Sequence, residues 1–161
     1  MAGKGGKKKE SQAPRSIENR KARFDFAIEE TFEAGVVLLG SEVKSLYLGR
    51  AHLNDSFCRV INNELWLINM DVEPYDKAGV FSHERRRDRK LLMHRKQIET
   101  LDRKSLEKGF TLVPLKSYFD EKGRVKILVG VGKGKAAYDK RDKIAKDDAR
   151  REMERVRSNK F

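Results

Sequence analysis

Three histidines, His52, His83 and His94, and a single cysteine, Cys58, are the side chains in this sequence best suited to hold a metal or to serve nucleophilic catalysis. They share no ligand spacing, and neither HExxH nor CxxC occurs. Cys58 lies between Phe57 and Arg59 in an alternating stretch, which suits an inert buried thiol better than a nucleophile. Gly130-Val131-Gly132-Lys133-Gly134-Lys135 looks like a phosphate-binding loop, but it is one residue short of that motif. Ala136 also stands where a magnesium-holding Ser or Thr is needed. Glu29, Glu30 and Glu33 could hold magnesium for RNA cleavage, although exposed strand-edge charges need no such role. Glu33, at an expected turn, could instead accept hydrogen bonds from a base or a sugar hydroxyl. No catalytic set, metal site or cofactor site emerges, and the expectation is a protein that is not an enzyme.

What the chain has in excess is cations. It carries 37 Lys+Arg against 25 Asp+Glu, a net charge of +12 over 161 residues. Residues 1–16 hold five basic residues and one acid, and residues 133–161 hold eleven and six, so these ends contribute +4 and +5. The stretch between is nearly balanced. Within it, His83–Lys96 gathers seven basic residues against two acids, with arginine predominating. Arginine's planar fork matches phosphate oxygens and stacks on bases, so this run reads as a nucleic-acid contact. One cysteine excludes an internal disulfide and fits a reducing compartment. No apolar run is long enough to span a membrane, and the basic start lacks the apolar stretch of a secretory signal. The expectation is a cytoplasmic monomer drawn to polyanions.

The elements that must position these residues follow from periodicity. Phe24, Phe26 and Ile28 alternate with polar neighbours as in a half-buried strand; Glu33-Ala34-Gly35 reads as a turn, and Val36–Leu39 as a short buried strand. Ser41 is placed to cap a helix that ends near Gly49. Phe57–Ile61 and Leu65–Met70 flank Asn62-Asn63, a hairpin signal. Arg89–Leu106 reads as helical. Leu112–Phe119 and Val125–Val131 form a second hairpin, with Pro114 marking an edge or a bulge. The fold class is mainly β with short helices: an OB-like closed antiparallel barrel over residues 17–132. A disordered basic arm (1–16) precedes it. A basic tail (133–161) follows, with Ala145, Ala149, Met153 and Val156 at helical spacing, disordered alone and helical when bound.

Asn19-Arg20-Lys21-Ala22-Arg23, Ile28–Gly35 (IEETFEAG), Gly40–Leu46 (GSEVKSL), Arg87–Leu92 (RDRKLL), Val113-Pro114-Leu115, Lys133-Gly134-Lys135 and Asp139-Lys140-Arg141 occur in that order. The sequence they compose resembles the bacterial SsrA-binding, or small protein B, family over nearly all the chain after the N-terminal arm. The resemblance implies an OB-like barrel that binds the tRNA-like domain of tmRNA and accompanies it into stalled ribosomes. There a basic tail enters the decoding region and the empty message channel. This is trans-translation, which rescues the ribosome and tags the incomplete peptide for proteolysis. By matching position, Asn19, Arg20, Lys21, Glu33, Arg89, Lys90, Leu91 and Leu92 would belong to the RNA face. Lys133, Lys135, Asp139, Lys140 and Arg141 would belong to the ribosome-engaging tail. Tyr47 departs from the family's Leu-Arg, and Ala136 from its Gly-Lys-Lys. The competing classes are a magnesium-dependent RNA nuclease and a general single-strand-binding module. The latter would need exposed stacking aromatics, and those in the strands here alternate inward.

Overall fold

In a computed structural model, which describes residues 13–159, the balanced middle of the chain becomes a mainly-β body and the basic end an exposed helix. The expected N-terminal arm lies outside the described residues as far as Gln12; Ala13–Ser16 are exposed, and the Arg15 N–H donates to the Tyr47 carbonyl at 3.4 Å. In chain order the elements are β1 (Ile17–Glu18), α1 (Arg20–Asp25), β2 (Phe26–Val36), α2 (Gly40–Tyr47), β3 (Ala51–His52), β4 (Phe57–Ile61) and β5 (Glu64–Ile68). There follow β6 (Asp71–Val72), a 3-10 segment (Asp76–Phe81), β7 (Arg89–Leu92), α3 (Arg95–Leu106), β8 (Phe110–Phe119), β9 (Val125–Gly134) and α4 (Ala137–Ser158).

Among the described residues seven strands form one antiparallel sheet in the order β1-β8-β4-β5-β7-β2-β9, while β3 and β6 pair separately. Strands β8 and β9 also pair, so the pairings run in a closed circuit from β8 through β4, β5, β7, β2 and β9 back to β8. Inside it Leu65, Leu67, Leu91, Leu112, Ile127 and Val129 are fully buried, and α3 covers them with Ile98 and Leu101. At Gly132 a Cβ would lie 2.9 Å from Ile28 Cδ1 and 3.0 Å from Phe26 Cβ, so a residue without a side chain lets β2 and β9 close.

Both hairpins form as read. Asn62 and Asn63 take φ of 51° and 61°, the left-handed pair a two-residue turn demands. The β8–β9 register shifts at Pro114/Lys116, so the proline sits at a bulge.

Elsewhere the structure corrects the reading. The strand placed from Phe24 begins at Phe26, because a short helix precedes it. No turn occurs at Glu33–Gly35: β2 continues to Val36, changing partner at Gly35, which pairs with both Lys126 and Leu92. Val37 and Leu39 leave the sheet and are exposed. The first four residues of the expected helix Arg89–Leu106 form β7 instead. Its alternation is disguised because the inward-facing residues are Arg89 and Leu91. Strand β9 runs to Gly134, past the expected strand end at Val131.

The helix cap at α2 is corrected too. Leu39 is the cap residue, and the Glu42 carboxylate accepts from its N–H at 2.8 Å. Ser41 Oγ turns instead to His83 Nδ1, 2.8 Å away. Glu42 is fully buried beside Arg89, itself fully buried, which donates to Glu42 Oε1 at 2.9 Å; Arg87 Nη2 donates to Oε2 at 2.8 Å. Arg89 spends its remaining donors on the carbonyls of Met70, Arg87 and Arg85.

Burial by itself raises the Glu42 pKa, but hydrogen bonds from Arg87 and the Leu39 N–H and the charge of Arg89 outweigh it and hold the carboxyl below its ordinary value. A group whose pKa is depressed by folding contributes stability above its unfolded pKa, and that contribution is lost as pH falls through the folded value. Urea unfolding should therefore show stability dropping on acidification below the ordinary carboxylate range. Glu42→Gln, about 3 kcal/mol less stable at neutral pH, should have a flatter acid limb; limbs of equal steepness would remove Glu42 as the titrating group.

Candidate nucleic-acid interface

Helix α1 carries the first expected RNA block, and Asn19 builds it. The Asn19 Oδ1 accepts from the Ala22 N–H at 3.0 Å, capping the helix, while Nδ2 donates to the carbonyls of Leu53 (3.1 Å) and Pro114 (2.9 Å). The Asn19 N–H also donates to the Leu115 carbonyl, at 2.8 Å. Asn19 is buried, so its expected place on the RNA face is that of a peg that holds α1 rather than a surface group. Arg20, Lys21 and Arg23 project outward from the helix so fixed. Lys21 Nζ pairs with Asp55 Oδ1 at 2.6 Å, above a pocket of about 210 Å³ lined by Asn19, Phe26, Ser56, Phe57 and Thr111.

Seven residues further along β2, Glu33 is exposed, and it is not at a turn. The Tyr118 hydroxyl donates to Glu33 Oε2, and Lys126 Nζ lies 3.8 Å from Oε1. Burial and the bond to Glu33 push the Tyr118 phenol up to about 12. Glu30 is paired separately with Lys104, and Glu29 is exposed at the β2 bulge. The three acids thus do not converge, and among the described residues no group of three or more His, Cys, Asp or Glu could hold a metal. His83 is buried between Ser41 and the Val72 carbonyl, and burial pushes the Cys58 thiol far up, which makes it inert.

The arginine run divides: Arg89 is buried and Arg87 half-buried, while Arg85, Arg86, Arg95 and Lys96 stay exposed. Arg85 makes two bonds to Asp71 at 2.9 and 3.0 Å, Arg87 and Arg89 serve Glu42, and Arg86 reaches Asn69 at 3.3 Å. Of the expected RNA-face block, Arg89 and Leu91 are buried in the core. Lys90 is half-buried against Glu64 at 2.7 Å, and Leu92 is 52% exposed.

The tail residues begin beside α1. Lys133 Nζ lies over the Phe110 ring at 5.0 Å. The Lys135 N–H donates to the Asp25 carbonyl at 2.9 Å, and its Nζ to the Arg23 carbonyl at 3.2 Å. Lys140 Nζ pairs with Asp25 Oδ1 at 3.2 Å, whereas Asp139 and Arg141 are exposed. Helix α4 contains no buried residue. Of the departures from the family pattern, Tyr47 packs edge-on against Phe119 with centroids 5.7 Å apart, and Ala136 is the N-terminal cap residue of α4.

The candidates therefore gather at two ends of β2. Arg20, Lys21, Lys135 and Lys140 lie at its start. Glu33 lies near its far end, where Leu92 is paired with Gly35. At roughly 3.3 Å per residue the ends are about 23 Å apart, a spacing suited to a folded partner rather than a mononucleotide. Tyr118 and Lys126, which hold Glu33, escaped the sequence reading, although the second hairpin's register places them opposite each other.

The family described as SmpB protein matches residues 16–159, the body and the tail helix together. The chain belongs to the SmpB family. The SsrA-binding protein of Symbiobacterium thermophilum is 51% identical over 144 residues, covering 89% of this chain and 91% of that one. The SsrA-binding protein of Carboxydothermus hydrogenoformans is 55% identical over 140 residues, covering 86% and 93%. Among solved structures, a chain from "tmRNA-SmpB: a journey to the center of the bacterial ribosome" is 47% identical, with a TM-score of 0.67 over 78% of this chain and 87% of that one. Within this SmpB-family chain, Asn19 is the residue on which α1 hangs. Asn19→Ala should lower the unfolding free energy by about 1–3 kcal/mol, since it removes the cap of α1 and the buried hydrogen bonds to the Leu53 and Pro114 carbonyls. Urea titration reads this directly, and a loss near zero would remove Asn19 as the peg.

Proposed function

We propose that this chain binds the tRNA-like domain of tmRNA and delivers it to stalled ribosomes for trans-translation. The observation that carries the reading is the continuous family match over residues 16–159, with relatives near 50% identity along most of their length. The solved tmRNA–SmpB chain supports the same partners.

The physical terms agree. Exposed Arg20, Lys21 and Arg23 on α1 offer phosphate neutralisation, and Glu33, held by Tyr118 and Lys126, offers a fixed acceptor for a base or a sugar hydroxyl. Lys90 and Leu92 are the members of their block that reach the surface, and Asn19, Arg89 and Leu91 support the face from within. The closed circuit of strand pairings supports an OB-like barrel as the RNA-binding body, with residues 133–161 as a separate functional unit. In that unit Lys133, Lys135, Asp139, Lys140 and Arg141 begin a cationic helix for the decoding region and message channel. With no buried face, the helix is marginal in the free chain and draws its stability from ribosomal phosphates. The protein makes and breaks no bond, works as a monomer in the cytoplasm and uses no cofactor. Separate partners for Glu30 and Glu33 disfavour a magnesium-dependent nuclease.

Two experiments test the reading. In filter binding with purified tmRNA, affinity should fall steeply with salt, and Glu33→Ala should weaken it by about 1–3 kcal/mol despite removing a negative charge. Unchanged or tighter binding would return Glu33 to an ordinary surface acid. In translation of a message lacking a stop codon, Ala149→Pro should abolish peptide tagging while tmRNA affinity stays at the wild-type value, because a mid-helix proline costs about 3 kcal/mol. Full tagging by that variant would refute a helical tail as the working form.

A further inference from the structure

The outer face of the sheet, where β4, β5 and β7 run side by side, carries the single tryptophan of the sequence. Leu65 and Leu67 are fully buried, so Glu64, Trp66 and Ile68 on the same strand turn outward. Trp66 thus departs from the inward alternation expected of the strand aromatics. It is half-buried, yet it belongs to neither apolar cluster of the body. Among the described residues its indole N–H meets no acceptor, and it is not sealed from solvent. Such a ring offers both an apolar body and an unspent donor to a ligand.

Pairing register places a cation on each side of it. Arg59 on β4 and Lys90 on β7 stand directly opposite Trp66, and side chains so paired are in reach of each other. The Lys90 ammonium is paired with Glu64, whereas Arg59 is exposed and, among the described residues, has no carboxylate partner. Its guanidinium lies instead over the Phe57 ring at 5.4 Å. Ile61 and Leu92, 41% and 52% exposed, extend the apolar surface along the same face. Aromatic surface interleaved with guanidinium is the chemistry that receives a nucleobase and its phosphate. An apolar protein partner would leave the Arg59 charge desolvated and unpaired.

This surface is continuous with the proposed RNA face. Lys90 and Leu92 belong to both, and Leu92 pairs with Gly35, two residues from Glu33. From β2 through β7 and β5 to β4 the distance along the sheet is about 14 Å. We propose that the tmRNA interface continues across β5, where Trp66 stacks on one unstacked base of the tRNA-like domain and Arg59 holds the adjoining phosphate. The proposal rests on tmRNA being the cargo. One platform takes one base of a folded RNA, whereas a general single-strand binder needs a series of them.

Because Trp66 is the sole tryptophan, its fluorescence reports the site without any substitution. Saturating the full chain with the purified tRNA-like domain of tmRNA should quench the emission and shield it from acrylamide. Trp66→Ala should weaken binding about fivefold to 150-fold, the range of one base stack, and Trp66→Phe should recover most of that loss. Arg59→Gln should reduce the salt slope of the affinity by about one phosphate contact. Unchanged emission and acrylamide access in the saturated complex, or full affinity in Trp66→Ala, would overturn the platform. An unchanged salt slope in Arg59→Gln would overturn its phosphate half. Emission that follows protein concentration but not RNA would assign the face to a second copy of the chain, and the platform would fall. A wild type that binds no tRNA-like domain would overturn the function itself, and the platform with it.

Discussion

The buried Glu42–Arg89 pair is the interaction on which the rest of the body depends. Neither charge touches solvent, and taking two ions out of water costs several kcal/mol each unless every hydrogen-bonding site finds a partner. Here the partners come from all sides: the Leu39 N–H and Arg87 for the carboxylate, and the Met70, Arg85 and Arg87 carbonyls for the guanidinium. The set therefore forms only when the start of α2, the end of β5's following loop and the entry to β7 are all in place. That requirement explains why an arginine-rich run, which on a surface would face phosphate, is turned inward at alternate positions.

Strand β2 transmits this order to the candidate interface. Its end is held by β7, whose first residue is Arg89, and its beginning follows α1, which is pegged by Asn19 to the bulge in β8. One strand thus links the Glu33 region to the α1 and tail region, and its bulge at Glu29 and glycine-lined crossing with β9 let it curve around the core. Glu30 and Glu33 on β2 bond different neighbours, Lys104 in one case and Tyr118 with Lys126 in the other, which keeps their charges apart.

Much of this was legible in the sequence where local chemistry decides the outcome. The Asn62-Asn63 turn, the bulge at Pro114 and the second hairpin follow from backbone preferences of those residues alone. Charge partition between body and ends was equally plain, as were the ordered blocks of the family. The reading failed where tertiary partners overrule local pattern. Arg89 counts as polar in any alternation scheme, yet it occupies a core position because Glu42 waits there, so β7 reads as helix from the sequence alone. Glu33-Ala34-Gly35 has turn composition, but Gly35 serves a change of pairing partner inside a continuous strand. Ser41 has the right type for a cap, and Glu42 does part of that work from inside the helix. Charge counting found the cations of residues 83–96 but not their spending, since Asp71 and Glu42 are far away in sequence.

The exposure of α4 has a consequence for the lifetime of the protein. A helix with no buried face opens locally at little cost, and a trypsin-like protease meets Arg150, Arg151, Arg155 and Arg157 along it. Cleavage there leaves the circuit of strands, the Glu42–Arg89 pair and the cations of α1 untouched. The remnant keeps the cargo-holding half of the proposed function and loses the half that reaches the ribosome. On the proposed division of roles, a clipped chain is a competitor rather than debris, because it holds RNA that it no longer delivers.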